Sequence, residues 1–361
     1  MDGLLHEKFN KVVSKGNLEE IQKILKLSLR DLYVSLVNEV SDGNIDPSFC
    51  NNKAVRIASE KGYLDVVKEL LKDSRVDPSD QKNEAIRFSS ANGHLEVVKE
   101  LLKDPRVDPS VVDNYAIRIA SQNGHYEVVK ELLKDSRVDP SADKNVAIMR
   151  ASLNGHLEIV KELLKDPRVH PSHSLSFALH YGHLDVVKEL LKDPRVDPSD
   201  SSVIINASKN GNLEILRELL KDPRVDPFKF VDGLYFACSE GHLDIVKELL
   251  KYYKPKKKKN KQFKICKAFN EACNRGRIEI VKFLLKDPRV DPSFDNNDAI
   301  IWASDHGHLE VVKELMKDSR VDPSAAFFEF GNKNSAIRMA SMHGHLEVVQ
   351  ELLKDPRVTK V

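Results

Sequence analysis

Residues 92–110 read NGHLEVVKELLKDPRVDPS, and close copies recur from Gly62 almost to the end of the chain. A catalytic pocket needs each of its residues once, so repetition on this scale describes architecture before chemistry. Aligned on the glycine before HLE and its variants, the copies mark eleven units, at Gly16, Gly62, Gly93, Gly124, Gly155, Gly182, Gly211, Gly241, Gly276, Gly307 and Gly344. Four of the ten intervals are 31 residues, and the others run from 27 to 46. The variation falls between RVDPS and the next helix, so that segment is expected to project as a loop whose length does not disturb its neighbours.

Within a unit, HLEVVKELLKD sets Val97, Val98, Leu101 and Leu102 on one stripe of an amphipathic helix, with Glu and Lys opposite. The segment NYAIRIASQN repeats the spacing with Ala116, Ile117, Ala120 and Ser121, small residues that let a second helix lie close. Each unit therefore reads as a helical hairpin. Asn52, Asn83, Asn114, Asn145, Asn297 and Asn334 fall one turn ahead of the first helix and are expected as N-caps. The shared glycine sits between the helices, where a left-handed C-cap costs it little, and Asp-Pro ends the second helix. A hairpin of about thirty residues has too little core to stand alone, so neighbours must share one apolar layer.

These residues resemble the ankyrin repeat. AIRIASQNGHYEVVKELL, from Ala116 to Leu133, is similar to that family's PLHxAAxxGHxEVVxLLL. The resemblance implies an all-α ankyrin-repeat solenoid of about eleven stacked helical hairpins with short finger loops, a single array over residues 1–361. Residues 1–46 then form an atypical N-terminal capping repeat with an extended connection, and 47–361 hold about ten repeats. Two features depart from the family. Its signature proline is replaced by Ala85, Ala116, Ala147 or Ala299, and the period is about two residues shorter. The DPRVDPS turn resembles that of ankyrin arrays in giant DNA viruses of amoebae and some protists.

Fifty-seven basic against fifty-six acidic residues leave a formal charge of +1, so the chain as a whole has no bias toward nucleic acid or membrane. Four cysteines without a CxxC pair suit a reducing, intracellular setting: the cytoplasm, of a host cell if the chain is viral, or the nucleus. Neither a signal peptide nor a membrane span is expected. GxxxxGK[ST], GxSxG, HExxH and a GxGxxG in strand-to-helix context are all missing, and the array accounts for nearly every residue. Catalysis and cofactors are therefore not expected.

Counted back from each glycine, the eighth, seventh, fourth and third positions stay small or apolar, while the ninth, sixth, fifth and second vary. The variable set includes Arg56, Arg87, Phe88, Tyr115, Arg118, Met149, Arg150, Tyr235, Ile301, Trp302 and Arg338. The resemblance places these on a concave face that, with the finger loops, grips partners; semi-buried filler is the other reading. Arg56, Arg87 and Arg118 occupy one position in three successive units. They form either a basic strip for an acidic peptide or hydrogen bonds to the loop backbone in place of the signature His. The Arg of each DPRVDPS, such as Arg106 and Arg168, recurs too uniformly to encode specificity and is assigned to turn and interrepeat ion pairing.

Seven histidines, His94, His125, His156, His183, His242, His308 and His345, follow the glycine. Equivalent atoms in stacked units lie about 8–10 Å apart, whereas zinc needs ligand nitrogens at about 2 Å, so no metal site is expected. Two loops stand out. KYYKPKKKKNKQFK, with Lys254, Lys256, Lys257, Lys258, Lys259 and Lys261, inserts a basic run over 251–264. It fits a solvated loop, a ligand for a nuclear import receptor, or a contact for phosphate groups of nucleic acid or lipid. AAFFEFGNK lengthens the loop over 325–333, and Phe327, Phe328 and Phe330 either fold back on the array or anchor a partner. The chain is thus expected to be a monomeric, non-enzymatic scaffold or adaptor for an unidentified protein. The alternative is a nuclear-targeted or anion-binding protein acting through loop 251–264.

Overall fold

The computed structural model describes residues 10–17, 19, 48–225, 230–252, 259–326 and 333–359. From Phe49 to Leu352 it forms ten consecutive helix pairs, with no β-strand among the described residues. The chain divides into two compact units, Met1–Val196 and Asp197–Val361. The first unit contains α1 (Phe49–Lys61) with α2 (Leu64–Leu70), α3 (Asp80–Ala91) with α4 (Leu95–Leu101), and α5 (Val111–Asn123) with α6 (Tyr126–Leu132). It continues with α7 (Ala142–Leu153) and α8 (Leu157–Leu164), then α9 (Ser174–Tyr181) and α10 (Leu184–Lys192). The second unit contains α11 (Ser201–Lys209) with α12 (Leu213–Lys221), α13 (Phe230–Glu240) with α14 (Leu243–Tyr252), and α15 (Lys259–Asn274) with α16 (Ile278–Leu285). It ends with α17 (Phe294–Asp305) and α18 (Leu309–Met316), then α19 (Ser335–Met342) and α20 (Leu346–Leu352).

Several second helices are only seven residues long, well below the roughly 12–15 at which an isolated helix becomes marginally stable. Stacking supplies what propensity does not. Within each unit, first helices pack in chain order, α1 on α3, α3 on α5 and onward to α9, then α11 through α19 in the other unit; second helices do the same. Between them lie the residues of the repeated stripe: Ala116, Ile117, Ala120 and Ser121 of α5, Val128, Val129 and Leu132 of α6, and Val138 of the following turn are all buried. Full burial of each Val or Leu contributes about 1.5–3 kcal/mol, and the neighbouring hairpins supply part of the covering surface.

All eleven unit glycines take a positive φ, between 66° and 93°. The turn they make lets the next amide reach back: His94 N–H donates to the Ser89 carbonyl at 2.9 Å, closing the first helix in the left-handed manner that an L side chain resists.

The asparagines do a different job from the one expected. Asn83, Asn114, Asn145, Asn297 and Asn334 themselves sit at φ between 56° and 66°, and Asn52 at 55°, in the left-handed region that Asn tolerates better than other L residues. None caps its own helix through its side chain. Instead the side-chain oxygen accepts an amide from the turn 25 residues ahead: Asp77 N–H on Asn52 at 2.7 Å, Asp108 on Asn83 and Asp139 on Asn114 at 2.8 Å, His170 on Asn145 and Asp322 on Asn297 at 2.7 Å. Asn334 receives Thr359 N–H at 3.4 Å. The free N–H that Asn satisfies thus belongs to the next hairpin. In one unit the thiol of Cys266 holds this place, facing Asp291 N–H at 3.3 Å.

Candidate interaction surface

The histidine after each glycine is a structural clasp. Its Nε2 lies 2.8–3.0 Å from a carbonyl of the preceding hairpin: His94 on Glu60, His125 on Ala91, His156 on Gln122, His183 on Leu153, His242 on Lys209, His308 on Asn274 and His345 on Asp305. In two units where another residue replaces His, the bond survives. Tyr63 donates its hydroxyl to Ser14 O at 3.2 Å, and Arg277 donates Nε–H to Ser239 O at 2.9 Å. Asn92, Asn123 and Asn154 add a second donor to the same carbonyls as their neighbouring histidines. Among the described residues no group of His, Cys, Asp and Glu is arranged to hold a metal ion.

The turn arginines are also occupied. Arg106 Nε and Nη2 grip both oxygens of Asp104, with Nη2 to Oδ2 at 2.7 Å, and the same fork recurs from Arg75 to Arg357. Hydrogen bonding to the guanidinium holds these aspartates below the usual carboxylate range, against the opposing effect of burial. The link to the previous hairpin is mostly a bond to its carbonyl rather than an ion pair: Arg137 Nη1 donates to Val107 O at 2.9 Å and Arg320 Nη1 to Val290 O at 3.0 Å.

With His, Asn and turn Arg accounted for, the first helices and the loops before them carry the side chains that differ between hairpins. Arg56, Arg87 and Arg118 each bond a carbonyl of their own left-handed turn, at Asn51, at Lys82 and Gln81, and at Val112. Each then meets the next hairpin differently. Arg56 pairs with Glu84 at 3.0 Å, Arg118 pairs with Asp143, and Arg87 lies over the rings of Tyr115 and Phe88, 5.4 and 5.9 Å from their centroids. The bonds to the loop backbone are the second of the two expected roles, and in Arg56 and Arg118 a carboxylate of the next hairpin takes the remaining edge.

Met149 is half-buried and Arg150 exposed on α7, and Trp302 is half-buried on α17 beside the His306 ring. Tyr235 of α13 is 37% exposed, and Arg338 of α19 is exposed. Ile301 is a correction: at 1% exposure it belongs to the core and presents nothing to a partner. Phe327, Phe328, Phe330, Lys254, Lys256, Lys257 and Lys258 lie outside the described residues, as do the side chains of Lys259 and Lys261 at the start of α15.

Two carboxylates on this face were not singled out from sequence. Glu271 of α15 accepts from the Tyr235 hydroxyl, the Ser239 hydroxyl and Arg275 Nε at 2.9–3.0 Å. Burial opposes its ionisation, yet these bonds hold it below the ordinary value. It is the single carboxylate at the fifth position before the eleven glycines, and that break in the internal alignment was its signal. Asp298 is pushed up to about 6 by partial burial and by Asp295 nearby.

These features define a helical-hairpin repeat protein, with a conserved internal lattice of clasps and a variable first-helix face. A profile of ankyrin repeats (three copies) matches residues 86–174, 175–263, 234–326 and 269–360. The chain belongs to the ankyrin-repeat family. Among solved structures, the human ASB11 ankyrin repeat domain is similar at 19% identity, covering 56% of this chain and 98% of that one with a TM-score of 0.46. Curated proteins gave no match. No helix of the described residues is long and apolar enough to cross a membrane.

Proposed function

We propose that this chain is a non-catalytic scaffold or adaptor that recognises a protein partner through its first helices and the loops before them. One observation carries the reading. The positions that hold hairpin to hairpin repeat one residue in most units, Gly in all eleven, His in seven and Asn in six, whereas Arg87, Phe88, Tyr115, Met149, Arg150, Tyr235 and Trp302 change from unit to unit and remain accessible. Variation that packing does not require is free to encode a partner, and half-buried aromatic and Arg side chains are the types that anchor interfaces. An intracellular setting is part of this proposal; Cys238, Cys266 and Cys273 are free and buried, with thiols raised by burial and so held unreactive.

The test is photo-crosslinking from single sites. A probe at Tyr115 or Trp302 should capture the same protein from cell extract, and a probe at Tyr126 on a second helix should not. Capture from Tyr126 alone would place recognition on the wrong face. Capture that depends only on residues 251–264 would favour the basic loop instead.

A further inference from the structure

The two helices of each hairpin differ in charge in a way the overall balance of +1 conceals. Within the unit Met1–Val196, the five first helices carry eight Lys and Arg against five Asp and Glu, whereas the five second helices carry six against ten. The first helices of the other unit are even, at six against six. Summed over each set of helices, a cationic surplus appears only on the first helices of Met1–Val196.

Ion pairing shows which of these cations are left open. Three of the eight cations are matched locally, Arg56 to Glu84, Lys61 to Glu60 and Arg118 to Asp143. Lys53, Lys82, Arg87, Lys144 and Arg150 make no ion pair among the described residues. On the second helices Lys99 pairs with Glu96, Lys161 with Glu158 and Lys192 with Glu189, while Lys68, Lys130 and Lys188 make no ion pair among the described residues but sit among a surplus of carboxylates. One of the unmatched cations, Arg87, lies over the half-buried rings of Phe88 and Tyr115. A surface that combines uncompensated positive charge with apolar anchors complements an acidic segment bearing aromatic or aliphatic side chains.

We propose that the first-helix face of Met1–Val196 docks an acidic protein segment, with Lys82, Arg87 and Arg150 meeting its carboxylates and Phe88 and Tyr115 receiving its apolar side chains. This rests on the first-helix face being the recognition surface. Arg87 serves as the centre because its guanidinium is oriented by two backbone carbonyls and two rings yet has no carboxylate of its own. The partner supplies the missing anion.

The probe is a fluorescein-labelled fifteen-residue peptide of Glu-Glu-Phe repeats, titrated into the full chain by anisotropy at low and physiological salt. A Gln-Gln-Phe peptide and a thymidine oligonucleotide of the same length serve for comparison. Binding of the Glu peptide should weaken with salt and should fall about tenfold in Lys82→Gln/Arg87→Gln/Arg150→Gln. It should be unchanged in Lys68→Gln/Lys99→Gln/Lys130→Gln on the second helices. Lys53→Gln/Lys82→Gln/Lys144→Gln, whose side chains hold no other part of the fold, should melt like the parent and still bind more weakly. Equal binding of Glu and Gln peptides, an equal loss in the second-helix variant, or tighter binding of the oligonucleotide would each overturn the proposal. A natural partner that crosslinks at Tyr115 but binds the Lys82, Arg87 and Arg150 variant undiminished would overturn it alone. Crosslinks confined to second helices would remove the underlying reading as well.

Discussion

His125 Nε2 lies 2.9 Å from the carbonyl oxygen of Ala91, 34 residues earlier, while its ring closes over Gly93 so tightly that a Cβ there would meet Nδ1 at 2.5 Å. One histidine therefore reads two properties of the preceding hairpin, the left-handed turn and the missing side chain. The same pairing recurs at Gly62 with His94 and Gly276 with His308.

Gly93→Ala should lose about 2–4 kcal/mol, combining the cost of an L side chain at φ +77° with that of overpacking. His125→Ala should lose about 1 kcal/mol for the bond. The double variant should lose less than the sum, because removing the ring removes the collision. Urea unfolding of the four proteins measures this coupling, and strict additivity would show that the ring and the glycine do not touch.

Asn114 supplies both a tolerated left-handed residue at φ 58° and the acceptor for Asp139 N–H at 2.8 Å. Asn114→Gly keeps the first property, Asn114→Asp largely keeps both, and Asn114→Ala loses both. Thermal unfolding should rank them Asp, Gly, Ala in falling stability, with Ala about 2–4 kcal/mol below the parent. An Ala variant as stable as the Asp variant would contradict the cross-hairpin role.

Ser121, Ser152 and Ser304 are fully buried, and their hydroxyls have no hydrogen-bond partner among the described residues. A serine of that kind fits for its size and is penalised for its oxygen. Ser121→Ala should raise stability by about 1 kcal/mol, seen as an upward shift of the urea midpoint at unchanged slope. A loss of that size would mean that the hydroxyl is bonded.

Acid should unfold the chain through its turns. The aspartate of each turn fork, Asp104 with Arg106 for example, is held below its ordinary value chiefly by the guanidinium bond. In the unfolded chain it titrates near the ordinary carboxyl value of about 3.9. Its contribution is therefore complete above that value and is lost as pH falls through it to the lower folded one. Arg106→Gln should cost stability at pH 7 and progressively less below pH 4. Asp298 behaves oppositely, because burial raises it to about 6. The folded state then favours the protonated form, and stability falls as pH rises through that range. Asp298→Asn should raise the melting temperature at pH 7.5 and leave it unchanged near pH 3.

The hairpin register was legible because it is written locally. Val97, Val98 and Leu101 mark one stripe within a single turn and a half, and the glycine marks its own backbone. The Asn lattice was half legible. A polar residue at a helix start reads as a cap in any short window, and the amide that Asn114 actually satisfies lies 25 residues ahead. Ile301 misled for a related reason. Its position holds exposed Arg338 in one unit and a buried aliphatic in another, so variability along the chain did not report exposure there. The charge segregation of Met1–Val196 was hidden in a total of +1 and appeared only when helices could be assigned to faces.

The central claim, that packing is delegated to a repeated lattice so that the first helices are left to recognise a partner, is tested most directly by hydrogen exchange of the full chain with and without the protein captured at Tyr115. The account predicts new protection over residues 81–92 and 112–123, with α4 and α6 unchanged. Protection confined to α4 and α6, with the first helices exchanging as before, would contradict it.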